Sequence, residues 1–109
     1  MSHFWKHNNL TAILMPIYPH CAMKRKDMLE MSLMMDYAFM WFIAGFPAGV
    51  LPITKVQQNE QFFKDSHNDE HTNMLNDHCK DSAGMPICLQ VVGYLDRDEH
   101  VLGIMKMLE

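Results

Sequence analysis

Cysteine is scarce in this chain and forms no recognisable set. Cys21, Cys79 and Cys88 are odd in number and widely spaced, with no Cys-x-x-Cys among them, so neither a disulfide framework nor a zinc site is suggested. Reduced thiols, as in a cytosol-type compartment, are the default expectation. Clustered positive charge is also missing. Lys24-Arg25-Lys26 is the longest basic run and the net charge is -4, which argues against nucleic acid, because phosphate binding needs a basic surface. No apolar run follows a basic patch at the N-terminus, so no signal peptide is expected. Internal repeats and low-complexity tracts are absent.

What remains fits one globular domain at most. A chain of 109 residues that is 49% hydrophobic and 20% charged has the composition of a folded protein rather than a disordered one. Methionine is unusually frequent: twelve residues, eight of them between Met1 and Met40. An unbranched, polarizable side chain fills irregular apolar space, so ordinary core is the first reading and a deformable ligand lining the second.

Seven histidines raise the question of a metal. His67 and His71 are four apart, with Asp69, Glu70 and Asp77 nearby, but no His-Glu-x-x-His flanks them, and zinc needs three or four converging ligands. They read as solvated surface histidines. Ser66-His67-Asn68-Asp69 holds the residue types of a hydrolytic triad, yet triads assemble from separate elements. His78-Cys79-Lys80-Asp81 places a nucleophile beside a base only in sequence.

Hydrophobic patterning gives an element order. Residues 11–15 form a short apolar run stopped by Pro16 and read as a buried strand. Residues 27–44 carry Met28, Met31, Met35, Phe39 and Phe42 at spacings of three and four, with Leu29, Leu33, Tyr37 and Met40 widening the stripe. A largely buried helix follows, with Asp27 or Glu30 in its first turn and Gly45 and Pro47 ending it. Residues 48–56 read as a buried strand, with Pro52 requiring an edge, a bulge or a strand start. Residues 57–82 are a polar surface excursion with one or two amphipathic helical turns around Phe62, Phe63, Met74 and Leu75. Residues 85–92 are nearly continuous in apolar side chains and read as a strand buried on both faces. Residues 96–108 close the chain as a helix with Val101, Leu102, Met105 and Leu108 on one side. The fold class is α/β: three short buried strands alternating with helices through crossover connections. The uncharged stretch 37–53 is near the lower length limit for a membrane span, but Pro47, Gly49 and Pro52 would break it. A helix followed by a strand needs no such exception.

Three of these segments carry a resemblance. Leu10-Thr11-Ala12-Ile13-Leu14-Met15-Pro16 is similar to an Asp-Ala-Ile-Leu-x-Pro strand of the amidase signature family. Gly45-Phe46-Pro47-Ala48-Gly49-Val50-Leu51-Pro52-Ile53-Thr54-Lys55-Val56 resembles its Phe-Pro-Ala-Gly-Val-x-Pro-Val-Thr strand. Asp81-Ser82-Ala83-Gly84-Met85-Pro86-Ile87-Cys88-Leu89-Gln90-Val91-Val92-Gly93 resembles its Gly-Leu-Pro-x-x-x-Gln-Val-Val strand, and Asp98-Glu99 with Leu102 the start of its last helix. The order and spacing are those of the family's C-terminal end, most of all its fatty-acid amide hydrolase branch. Phe42 stands where relatives usually carry Asn.

The resemblance implies that residues 1–109 are the C-terminal portion of an amidase domain with a mixed sheet. The family hydrolyses linear amide C–N bonds with a Ser-cis-Ser-Lys triad and an oxyanion hole from a Gly/Ser-rich segment. Neither is in this chain: its serines are Ser2, Ser32, Ser66 and Ser82, no two adjacent. The chain alone is therefore expected to be inactive, and no catalytic residue, metal or cofactor is assigned to it. Its implied role is scaffold and acyl-pocket wall, with Met35, Phe39, Gly49, Val50, Leu51 and Ile53 as the candidate lining for a lipid tail. The implied partner is the N-terminal part of an amidase domain, the implied substrate class a long-chain acyl amide. The expected location is cytoplasmic or membrane-associated, with peripheral contact at the bilayer surface. The alternative is a non-catalytic module that binds lipid or protein.

Overall fold

Pro52 and Ile53 show how the sheet is built. In the computed structural model, which describes residues 2–29, 32 and 35–109, strand β2 (Ala48–Lys55) pairs antiparallel with strand β3 (Pro86–Val92). The register slips between Pro52 and Thr54, so Ile53 is the extra residue of a bulge. β2 is an edge strand, as its proline requires. Strand β1 (Ile13–Pro16) pairs antiparallel with the other side of β3, giving the order β1-β3-β2.

The sheet is therefore antiparallel throughout. The connection from β1 to β2 does cross over, since β3 inserts between them. The expectation of three buried strands is corrected. β1 alternates between half-buried and exposed, and β2 is mostly exposed. β3 is fully buried only at Gln90, Val91 and Val92. A continuous apolar run does not distinguish a central strand covered on both faces from one covered at only one end.

Val91 and Val92 mark the two faces, because successive side chains in a strand point oppositely. Val91 packs with Val101 and Ile104 of helix α4 (Asp98–Leu108). Val92 packs with Trp5, Trp41 and Phe46. Trp5 belongs to helix α1 (Ser2–His7), an element the sequence periodicity does not reveal, and Trp41 to helix α2 (Asp36–Ile43). A three-stranded sheet thus sits between α4 on one face and α1 with α2 on the other.

The helix expected over 27–44 is corrected to a shorter one. Residues Arg25–Asp27 form one turn of 3-10 helix, and the α-helix covers only Asp36–Ile43. Its end is set by Gly45 at φ 74°, with Phe46 N donating to Trp41 O and Gly45 N to Phe42 O. This is the reciprocal pair of bonds that a left-handed residue after a helix makes available. The inward side chain is Trp41, whose indole Nε1 donates to Met15 Sδ at 2.9 Å. Of the expected apolar stripe, Met28, Leu29, Tyr37, Phe39, Met40 and Phe42 are exposed, while Met31 and Leu33 lie outside the described residues.

Gln90 ties this layer to the sheet. It is buried, and its Nε2 donates to Tyr37 O at 2.8 Å and Pro16 O at 3.3 Å. On the other face, a Cβ built on Gly49 would overlap Met105 Sδ, and one on Gly93 would overlap Val101 Cγ2. Both glycines admit α4 to the sheet. On α4 itself Val101 and Ile104 are buried with Met105 packed beside them, whereas Leu102 and Leu108 are exposed, so Val101 and Met105 of the expected stripe face inward and Leu102 and Leu108 do not.

The segment 57–82 contains a full helix, α3 (Glu70–Cys79), capped by Asp69, whose Oδ1 accepts from Thr72 N at 2.7 Å. Thr72, Leu75, His78 and Ser82 are buried, while Phe62 and Phe63 lie outside any helix. Among the described residues no helix is long and apolar enough to cross a membrane; the uncharged stretch 37–53 is divided between α2 and β2.

Candidate functional site

α3 delivers His78 to the inside of the molecule, at the position where its last turn meets the loop after β1. His78 is 2% exposed. Its Nδ1 lies 3.0 Å from Asp27 Oδ2, on the 3-10 turn. The carboxylate accepts, so Nδ1 carries the hydrogen of this bond. The His20 ring stands edge-on to His78 with 4.9 Å between centroids. His20 Nδ1 donates to Cys21 O at 2.6 Å, since a carbonyl can only accept. Both Nε2 atoms are buried and have no hydrogen-bond partner among the described residues.

A cleft of about 500 Å³ opens beside this pair. Its polar lining includes His20, Cys21, Cys79 and Ser82, and its apolar walls include Tyr18, Val56, Phe62, Phe63 and Ile87. Burial pushes the Cys79 thiol up, the neighbouring Cys21 adds to this, and Lys24 opposes it. The thiol is therefore a weak nucleophile. Burial pushes His20 below its ordinary value, against the bond to the Cys21 carbonyl and with the help of the His78 ring. Ser82 Oγ donates to Cys79 O at 2.5 Å, so its hydroxyl proton is already committed. An aspartate–histidine pair is present without a nucleophile bonded to the free nitrogen, and acyl transfer needs that contact.

The six residues expected to line an acyl pocket do not meet in one cavity. Val50 and Gly49 alternate along β2: Val50 sits opposite Gln90, on the side of α2, and Gly49 sits opposite Val91, against α4. Val50 lines a cleft of about 190 Å³ with Ile17, Tyr18, His20, Ala22 and Cys88. Leu51 is half-buried and pairs with Leu89, while Ile53 is the exposed bulge residue. Phe39 is exposed on α2, and Met35, half-buried, directly precedes that helix.

His67 and His71 are both exposed. His67 Nδ1 pairs with Asp65 Oδ1 at 2.6 Å, which holds the imidazole above its ordinary value. The Asp27–His78–His20 arrangement escapes sequence reasoning because its members are far apart in the chain. The one signal available was that the His-Cys dipeptide occurs twice, as His20-Cys21 and His78-Cys79. Comparison of the chain with family models, with curated proteins and with solved structures gave no match.

Proposed function

We propose that this chain is one part of an amidase of the fatty-acid-amide-hydrolase type, supplying scaffold and acyl-pocket wall to a Ser-Ser-Lys centre borne on another stretch of polypeptide. The observation that carries this reading is excess surface. The accessible area is 7838 Å², whereas a compact monomer of 12.7 kDa exposes about 6200 Å². The radius of gyration is 15.8 Å, against about 13 Å for a chain of this length. The difference in area, about 1600 Å², is roughly twice the 800 Å² that one partner buries at a specific protein interface.

Apolar side chains lie on that surface. Phe42 is 78% and Ile43 81% exposed, with Tyr37, Phe39 and Met40 beside them on α2. β1 and β2 are both edges, and Leu14, Val50 and Ile53 on them are exposed. In the proposed assembly the missing N-terminal part of the amidase domain covers these groups and extends the sheet. The substrate is a linear, long-chain acyl amide. Peripheral contact with a membrane through α2 belongs to the same reading.

The deciding experiment is complementation. The chain is mixed with the N-terminal portion of a fatty-acid amide hydrolase carrying the Ser-Ser-Lys centre, and a fluorogenic long-chain acyl amide is supplied. Neither part alone should turn over, and the mixture should. Hydrolysis by the 109-residue chain alone, or no gain on mixing despite two soluble parts, defeats the reading.

A second reading, a non-catalytic lipid-binding module, is favoured by the apolar walls of the cleft at Tyr18, Phe62 and Phe63. Saturable binding of a fluorescent fatty acid by the chain alone, lost in Phe63→Asp, selects it.

A further inference from the structure

Ile13 and Val92 are register partners at one end of the sheet, so the chain entering β1 and the chain leaving β3 lie side by side there. A cleft of about 550 Å³ opens at this corner, between the end of α1 and the start of α4. Two permanent cations, Lys6 and Arg97, line it together with His100. They come from opposite ends of a chain in which 13 acids outnumber 9 lysines and arginines. Asp96, Asp98 and Glu99 adjoin Arg97 in sequence, yet none of them lines the cleft. Neither Lys6 nor Arg97 forms an ion pair among the described residues. Like charges that share a cleft without an acid create a positive potential, which an anion would neutralise.

The surroundings suit an anion as well. Arg97 is the N-cap residue of α4 and gives it no side-chain cap, so the positive end of that helix stays open beside the cleft. The negative end of α1 is closed, because Trp5 O and Lys6 O accept from Leu10 N and Asn9 N. His100 offers at least one N–H in either protonation state. The floor is apolar: Leu10 and Tyr94 are half-buried, and the buried Trp5 ring lies 6.0 Å from that of Tyr94.

We propose that this cleft binds a phosphate monoester that carries an apolar organic group. Such an ester has a charge of about −1.5 to −2 at neutral pH, which matches Lys6 and Arg97 together better than a single carboxylate does. The Arg97 guanidinium is shaped to take two phosphate oxygens, and Lys6 acts as a point charge. The organic group rests on Leu10 and Tyr94. None of the lining comes from α2 or β2, and the site requires no part of the amidase reading.

The test is calorimetric titration of the full chain at low ionic strength with phenyl phosphate, inorganic phosphate and benzoate. Flotation with phosphatidylcholine vesicles carrying phosphatidic acid, or phosphatidylglycerol as the diester control, runs beside it. One phenyl phosphate should bind per chain, more tightly than inorganic phosphate or benzoate, and added salt should weaken it. Lys6→Gln and Arg97→Gln should each cost about tenfold in affinity. The Arg25→Gln, Lys26→Gln pair, which removes basic groups elsewhere, should leave binding unchanged. Far-UV circular dichroism establishes that the variants are folded. A preference for phosphatidic acid vesicles, lost in the same variants, identifies the source as a lipid headgroup; phenyl phosphate binding without vesicle binding identifies a soluble ester. No binding of either monoester, inorganic phosphate or benzoate bound as tightly as phenyl phosphate, or affinity that survives the Lys6→Gln, Arg97→Gln double variant would each overturn the assignment.

Discussion

Asp27 Oδ2 and His78 Nδ1 lie 3.0 Å apart across 51 residues of sequence, joining a single 3-10 turn to the last turn of α3. The histidine is essentially inaccessible, while the aspartate side chain keeps 20% of its surface in solvent. This bond anchors the polar segment 57–82 to the rest of the fold.

Removing the carboxylate should be costly because it strands a buried donor. Asp27→Ala is expected to destabilise the protein by about 1–3 kcal/mol, read as a lower urea midpoint at unchanged slope. Asp27→Asn should retain part of that, since an amide oxygen still accepts. Equal stability of Asp27→Ala and wild type would mean that the bond contributes nothing.

Acid should weaken the fold through His20. Its folded pKa lies below the ordinary 6.5, first because of burial and then through the His78 ring. As pH falls through 6.5 the unfolded chain takes up the proton first, so stability declines from there toward the folded pKa. Above 6.5 this group contributes no pH dependence. The slope cannot exceed about 1.4 kcal/mol per pH unit for a single site. His67, raised by Asp65, acts in the opposite direction but is exposed, where such pairs contribute little. Urea midpoints between pH 7.5 and 5 should therefore drop in wild type, and less steeply in His20→Asn. Parallel profiles for the two proteins contradict this account.

The contact of α4 with the sheet leaves no room at Gly93. A methyl group there meets Val101 Cγ2, a β-branched side chain with little freedom to turn. Gly93→Ala should cost about 1–3 kcal/mol, as overpacking does. Gly49→Ala should cost less, because Met105 is flexible, and Met105→Ala should relieve it. Thermal unfolding of the two single variants and the Gly49→Ala, Met105→Ala pair measures both effects; a costlier Gly49→Ala reverses the argument.

The exposed face of α2 predicts association rather than instability. Phe42→Ser with Ile43→Ser removes two large apolar groups already in water. Unfolding free energy should change by no more than about 0.5 kcal/mol per site. Self-association in analytical ultracentrifugation and binding of an apolar dye should both fall, since exposed apolar patches drive both. If the double serine variant associates as strongly as wild type, the sticky surface lies elsewhere.

Much of the element order was readable from local chemistry. Pro52 demanded an edge or bulge and sits at one; Gly45 and Pro47 stop a helix; acids at Asp98 and Glu99 open another. The departures have a common cause. Periodicity in the Met-rich stretch suits a long helix, but it weighs hydrophobicity alone. Trp41, off that stripe, found Met15, Phe46 and Val92 to pack against. Burial depends on what a face meets, which spacing does not encode. The candidate site was less legible still. His20, Asp27 and His78 each look ordinary in their own surroundings.

The sequence by itself determined where regular structure starts and stops, because proline, glycine and acidic first turns act on their immediate neighbours through φ restriction and the helix dipole. Tertiary structure alone decided which faces are covered, that the strands run antiparallel, and that His20, Asp27 and His78 come together. Those outcomes arise from packing between residues tens of positions apart, whose mutual distance exists only once the sheet has closed around β3.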